Sequence, residues 1–510
     1  MNTLHGALHW RMVHRASTVV HDPDIRSEMV DASRSRRRRS ARLGSGAAVV
    51  ATALALTVAG IVCAAEPAEV PQWGDAVQSF SMQVPPLARV GDVWVRGDGY
   101  GSSLYPVPGS RDEVYGLTDR GPNVFLPDGT VVEPIPSFQP TIGKFRLRDG
   151  KAVLEQTIPL TDASGARYSG RVNAQNPHGQ RMLDLSGAEL PTDPNGYDPE
   201  GLVALPDGTF WVSDEYGPFI THFDAAGRQI GRLSPFDGSL PPELANRINN
   251  RGLEGLTITP DGSTLVGMMQ SALQQPDIDG ADPMRIAILR IVTYRLATGE
   301  LHEYLYLLDD PATTHTAVSE LAAVSNHTFM VDERDSKFPP GAYKKLWRID
   351  LDGATDVGPN SQVAGARYDA AHGGLLIDGR TLEALVAGQD TAAATATLRA
   401  AGITPVAKTL GLDVGALLDR IDPQGRFYAH DKIEGLFVDP DGHRIILSND
   451  DDFGIGGVGR PTPPFQPRMK VSPATGQPDT GEFLVIDTAR LPGLEPASAT
   501  PTARGTPAAH

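Results

Sequence analysis

The chain's 510 residues are 40% hydrophobic and 21% charged, enough for a large globular core or two and unlike a disordered or fibrous protein. A formal net charge of −17 argues against a nucleic-acid or anionic-membrane partner. One cysteine, Cys63, excludes a disulfide framework and a cysteine-based zinc site, while 54 glycines and 42 prolines favour turn-rich β structure.

In chain order, residues 1–32 read as an N-terminal extension and 33–65 as an export signal. Arg34 to Arg42 is basic, Ala47 to Ala65 is uncharged and apolar, and Ala64-Ala65 offers small residues before Glu66. The rival reading is an uncleaved membrane anchor, since about 20 apolar residues can span a bilayer. The charge is uneven: residues 1–46 hold nine arginines against four acids, so the net negative charge lies in the exported part. A periplasmic or secreted protein is expected.

From 66 to 491, short apolar runs alternate with Gly, Pro, Asp and Asn. Strands are predicted at 114–118, 141–147, 153–158, 201–205, 209–213, 253–259, 286–294, 328–331, 345–349, 435–438, 445–447 and 482–486. Three phrases repeat: EGLVALPDG from Glu200, EGLTITPDG from Glu254 and EGLFVDPDG from Glu434. Strand, Pro-Asp-Gly turn and strand make a hairpin, and hairpins recurring at tens of residues imply a radial array. Ser319-Glu320-Leu321 reads as a fourth copy that keeps the acid, and the strand ending in Thr118-Asp119-Arg120 as a fifth. The fold class is therefore all-β, a β-propeller of five to seven blades, with five hairpins recognised near 115, 205, 260, 325 and 440. The wide gap at 352–420 is predicted to hold a partly helical insertion on one face of the ring, where it bears on substrate access. Residues 492–510, rich in Pro, Ala and Thr, read as a disordered tail.

Equivalent positions on a closed ring converge on its axis. Glu200, Glu254 and Glu434 therefore share one end of the channel, and Asp119, Asp214, Glu333, Asn449 and Asp450 end the second strands at that end. Converging hard oxygen donors suit Ca²⁺ or another divalent cation. Glu200, Asp214, Glu254, Glu434, Asn449 and Asp450 are the metal-ligand candidates. The alternative is a turn signature in which each Glu only caps neighbouring amides. Each following glycine is expected to admit a close backbone neighbour. Arg120, Arg334, Arg251 and Lys432 stand beside the acids, and a cation with guanidinium forks is a grip for a phosphoryl group. Arg120 and Arg334 would orient the phosphate, Arg251 and Lys432 would bind substrate, and Glu333 or Asp119 would be the general base. Single histidines such as His178, His315 and His430 read as solvated or structural, although the turn at His178 could reach a site. Gly454-x-Gly456-x-x-Gly459 is followed by prolines and not by a helix, so it is no dinucleotide fingerprint.

Several phrases together resemble the phytase-like family, named for the esterase-like activity of phytase. They are Thr118-Asp119-Arg120-Gly121-Pro122-Asn123, Asp198-Pro199-Glu200-Gly201-Leu202 with Ser213-Asp214-Glu215, and Asn250-Arg251-Gly252-Leu253-Glu254-Gly255-Leu256. Glu333-Arg334-Asp335-Ser336, Lys432-Ile433-Glu434-Gly435-Leu436 and Asn449-Asp450-Asp451-Asp452-Phe453 complete the set, with Asp451 where the family phrase usually has Asn. The resemblance implies an exported bacterial β-propeller that hydrolyses phosphoesters or esters. The expected function is metal-dependent hydrolysis of a small phosphate ester by a monomer. The alternatives are a carboxylic ester or lactone hydrolase on the same calcium site, and a non-catalytic propeller stabilised by calcium.

Overall fold

The structure, a computed structural model, describes residues 73–176 and 179–491. The predicted signal or anchor, His178 and the 492–510 tail lie outside the described residues.

Strand β1 (Val77–Gln83) comes first in the chain and last in the architecture. The first blade is β2 (Ser103–Pro106), β3 (Glu113–Leu117), β4 (Thr141–Arg148) and β5 (Lys151–Pro159). The second is β6 (Pro199–Ala204), β7 (Phe210–Asp214), β8 (Ile220–Phe223) and β9 (Gln229–Leu233). The third is β10 (Leu253–Ile258), β11 (Thr264–Met269), β12 (Ile288–Arg295) and β13 (Glu300–Leu307). The fourth is β14 (Ala317–Ala323), β15 (Thr328–Arg334), β16 (Lys344–Asp350) and β17 (Ala407–Asp413). The fifth takes β18 (Gly435–Val438), β19 (Arg444–Ser448) and β20 (Glu482–Asp487) from the C-terminal part and β1 from the N-terminal part.

The innermost strands neighbour one another in the order β2, β6, β10, β14, β18 and back to β2, so the described residues form a closed five-bladed β-propeller. Closure is double. β1 pairs antiparallel with β20, Val77 opposite Ile486, and parallel with β5, Ser81 opposite Lys151. The N-terminal strand thus covers an edge that would otherwise be open.

Inner strands pack on both faces, and every residue of β6 and β10 is buried. Apolar side chains fill the wedges between blades, as Val203, Trp211 and Ile220 meet Leu253, Leu256 and Leu265. The glycines of the repeat allow this approach. A Cβ on Gly201 would stand 2.6 Å from the Leu256 amide nitrogen, and one on Gly435 would stand 2.9 Å from that of Leu104. Neither contact is tolerable, so the motif's Gly is fixed by the next blade's backbone.

Between β16 and β17 lie a small sheet and two helices, α1 (Leu382–Val386) and α2 (Thr391–Ala400), begun by Thr381 and Asp390 accepting from the amides of Ala384 and Ala393. They pack on the third blade, with Leu382, Val386 and Leu398 clustered against Ile288 and Leu305. Arg290 on β12 meets Glu383 of α1 at 3.0 Å in a two-point ion pair. None of the insertion's residues lines the cavity described next.

Candidate functional site

The N-terminal ends of the inner strands and the C-terminal ends of the second strands open on the same end of the channel. They surround a cavity of about 870 Å³. A register shift in the hairpins of the second and third blades aims Glu200 and Glu254 into it. Leu253 pairs with Met269 and Gly255 with Met268, leaving Glu254 as the extra residue of a bulge. Pro199 pairs with Asp214 and Leu202 with Val212, which does the same for the Glu200-Gly201 pair. Bulges re-aim a side chain without ending the strand.

The fourth blade corrects the alignment of its motif. Val318 pairs with Glu333 and Glu320 with Asp332, so Ser319 is the extra residue and Glu320 occupies the glycine position. Glu320 points into the channel below the cavity, where its carboxyl accepts from Ser103 Oγ at 2.5 Å and from the Leu256 amide at 2.8 Å. Above it, Arg334 Nε donates to Ser319 Oγ at 2.9 Å, and Nη2 pairs with Glu434 of the fifth blade. A guanidinium thus stands where a fourth motif carboxylate was expected.

Of the sequence candidates, Asp119, Arg120, Glu200, Arg251, Glu254, Arg334, Lys432, Glu434 and Asp450 line the cavity. Asp214, Glu333 and Asn449 do not, because strand side chains alternate and these lie one residue out of phase with Asp119, Arg334 and Asp450. Asp214 accepts from the amides of Asp198 (2.7 Å) and Gly217 (2.6 Å), fixing a turn. Glu333 accepts from Tyr306 Oη (2.7 Å), the Asp309 amide (2.9 Å) and Lys408 Nζ (2.6 Å) between blades three and four. Asn449 accepts from the Glu482 amide (2.7 Å) and donates to Thr480 O (2.9 Å). These are framework bonds. As metal ligands Asp214 and Asn449 are displaced by geometry, and so is Glu333 as a general base.

The same alternation brings in Glu215, which sequence reasoning missed; it stands in phase with Asp119, Arg334 and Asp450. Carboxylate oxygens of Asp119, Asp198 and Glu200 lie within 4.8 Å of one another, as do those of Glu200, Glu215 and Glu254. Glu200 is shared, so five carboxyls form one continuous cluster. Glu215 is 1% exposed and Glu254 2% exposed, and Glu215 Oε1 and Glu254 Oε2 have no hydrogen-bond partner. Burial first and neighbouring carboxylates second push Asp119, Glu200 and Glu215 well above the usual carboxylate range. Burial, with Glu434 nearby, raises Glu254 to about 8. Oxygen donors that are crowded, buried and partly unbonded fit a divalent cation.

The cations around them are individually tied. Arg120 Nη1 bonds Asp198 at 2.6 Å, and its Nε is buried without a partner. Lys432 Nζ meets Asp450 and, at 2.6 Å, Asp452. Lys470, on the loop after the hairpin Ile455–Arg460 and Gln466–Met469, contacts Asp431 (2.6 Å) and Asp452 (2.7 Å). Asp431, Asp452 and Lys470 belong to no repeat; Asp452 lies in the phrase Asn449–Phe453, and Asp431 and Lys470 lie in no motif. Arg251 Nη1 donates to Gln270 Oε1 at 2.7 Å, and Gln270 Nε2 donates to Glu254 Oε1 at 2.5 Å, linking a cation to the cluster through an amide.

A sequence model of the phytase-like family, described as the esterase-like activity of phytase, matches residues 99–453. The chain belongs to the phytase-like family. Over 235 residues it is 30% identical to an uncharacterized secreted protein of Arthroderma benhamiae, covering 36% of this chain and 45% of that one. The match thus spans less than half of the relative's length. Among solved structures, a calcium-binding regucalcin of Agrobacterium tumefaciens is similar at 10% identity, covering 80% of this chain and 95% of that one with a TM-score of 0.31. A virginiamycin B lyase of Staphylococcus aureus is similar at 11% identity, covering 81% and 98%, with a TM-score of 0.28. Among the described residues, no helix is long and apolar enough to cross a membrane.

Proposed function

We propose that this phytase-like protein is an exported, divalent-cation-dependent hydrolase of phosphate esters, with calcium as the ion. The observation that carries the proposal is the juxtaposition of the five-carboxyl cluster, of which Asp119, Glu200, Glu215 and Glu254 line the cavity, with the guanidinium groups of Arg120, Arg251 and Arg334 in the same lining. Asp119, Asp198, Glu200, Glu215 and Glu254 would hold the cation, which when bound supplies Lewis-acid polarisation of a phosphoryl oxygen and a more acidic water. Arg334, braced by Ser319 and Glu434, and Arg120 Nε, which is otherwise unbonded, orient the phosphoryl oxygens. Asp450, which burial and Asp452 raise to about 7, would take a proton from the attacking water. Export rests on the N-terminal pattern and agrees with the secreted relative.

The test is a substrate panel at saturating calcium: an aryl phosphate, the matching aryl acetate and an aliphatic lactone. The proposal expects phosphate release with little turnover of the other two. Preferential cleavage of the acetate or lactone would replace it with a carboxylic ester hydrolase on the same site.

A further inference from the structure

Ten large apolar side chains are exposed among the described residues, and three of them stand on one rim of the cavity: Phe125 (48% exposed), Met469 (39%) and Val471 (40%). Local structure explains their direction. Phe125 alternates with Val124, which is buried in the core beneath, so Phe125 must face out over the mouth. Met469 ends the hairpin that packs beside that strand. Apolar side chains held at a cavity mouth by two separate elements form a subsite for an apolar group.

The charge of the lining points the same way. Eight acidic and six basic side chains line the cavity, a formal balance of two negative charges that becomes three with Asp198 behind Arg120, so one divalent cation leaves no surplus positive charge. Four of the six bases are held by carboxylates: Arg120 by Asp198, Arg334 by Glu434, Lys432 by Asp450 and Lys470 by Asp431. Arg251 and Arg468 form no ion pair among the described residues; their contacts are the Gln270 side chain and the Gly456 carbonyl. A site for a polyanion carries surplus positive charge. This cavity, even with its cation, carries no such surplus.

We infer that the ligand is a phosphate monoester of an apolar alcohol or phenol, and not a polyphosphorylated ring; this rests on the phosphate-ester reading above. The phosphoryl group lies at the carboxyl-lined floor beside Arg251, and the alcohol portion lies against Phe125, Met469 and Val471. In the reaction a water oxygen bonds to phosphorus, the ester P–O bond breaks, and the leaving oxygen takes the proton released by the water, giving the free alcohol and inorganic phosphate.

Efficiencies (kcat/KM) of the full chain with calcium are compared for naphthyl phosphate, glycerol phosphate and phytate, in the wild type and in a Phe125→Ala, Met469→Ala double variant. Both positions are exposed, so the variant is expected to fold. The naphthyl-to-glycerol ratio should exceed about tenfold in the wild type and collapse towards unity in the variant. Phytate should be the poorest of the three. Phytate cleaved as well as naphthyl phosphate, or a ratio that the double variant leaves intact, overturns the inference. Equilibrium binding of naphthylphosphonate against methylphosphonate separates it from the hydrolase reading. If no ester turns over but naphthylphosphonate binds preferentially, and the variant loses that preference, the ligand class stands and the hydrolase reading falls. Equal affinities overturn the ligand class.

Discussion

Replacing Glu254 by Gln should raise the stability of the cation-free protein and remove its response to calcium. The carboxyl is 2% exposed, and its Oε2 has no partner, so ionising it without a cation is costly. Burial raises it to about 8 from the ordinary 4.5. The sign follows: a raised carboxyl penalises the folded state progressively as pH climbs from the unfolded value to the folded one. Below about 4.5 the penalty is absent, and above 8 it is complete. A shift of that size corresponds to roughly 3–5 kcal/mol at pH 8, where the neutral amide avoids it. For a domain of ~400 residues this is a rise in Tm of about 5 °C. Gln270 can still donate to the remaining side-chain oxygen, so packing is conserved. Calcium at 100 times its Kd should stabilise the wild type by about 2.7 kcal/mol. The assay is thermal unfolding at pH 8 in chelator and in calcium, for both proteins. A variant less stable than wild type in chelator, or one that keeps the calcium-induced rise, would show that Glu254 is neither an uncompensated buried carboxyl nor a ligand of the cation.

Arg290→Met should strand Glu243, Glu303 and Glu383, which are buried around the guanidinium beneath the insertion, and cost about 3–5 kcal/mol at pH 8. The loss should shrink at pH 5, because burial and neighbouring Glu243 favour the protonated form of Glu303, and urea melts at both pH values report it; an equal loss at both would mean that the defect is one of packing. His430 donates to Asp479 at 2.6 Å and, hydrogen bonding having outweighed burial, is raised to about 9 from 6.5. Its stabilisation is complete below pH 6.5 and lost as pH rises through 9, so His430→Gln should cost about 3 kcal/mol at pH 6 and far less at pH 9.5, read from denaturation midpoints at the two pH values.

The fold was legible because its information is local. Each Pro-Asp-Gly turn between apolar runs announces a hairpin, and the five hairpins predicted near 115, 205, 260, 325 and 440 are the inner halves of the five blades. Ring closure was not legible: β1 carries no turn motif, and its partner β20 lies some 400 residues away. The site divides by the same rule. Glu200, Glu254 and Glu434 carry a repeated signature, and the motif's glycine is explained by the neighbouring blade. Asp214, Glu333 and Asn449 were misplaced because a strand's facing flips at every residue, so an error of one reverses it. Glu320 was misaligned for a related reason, since a bulge shifts register without leaving a mark in composition. Asp431, Asp452 and Lys470 reach the cavity from loops that only tertiary structure brings together.

Whether the carboxyl cluster holds a catalytic cation is decided by phosphate release from an aryl phosphate by the full chain, followed as calcium is restored after chelation. Turnover should be absent in chelator, recover saturably with calcium, and fail to recover in Glu254→Gln. Release that is undiminished in chelator, or recovery by calcium in the variant, would contradict a catalytic cation held by the carboxyl cluster.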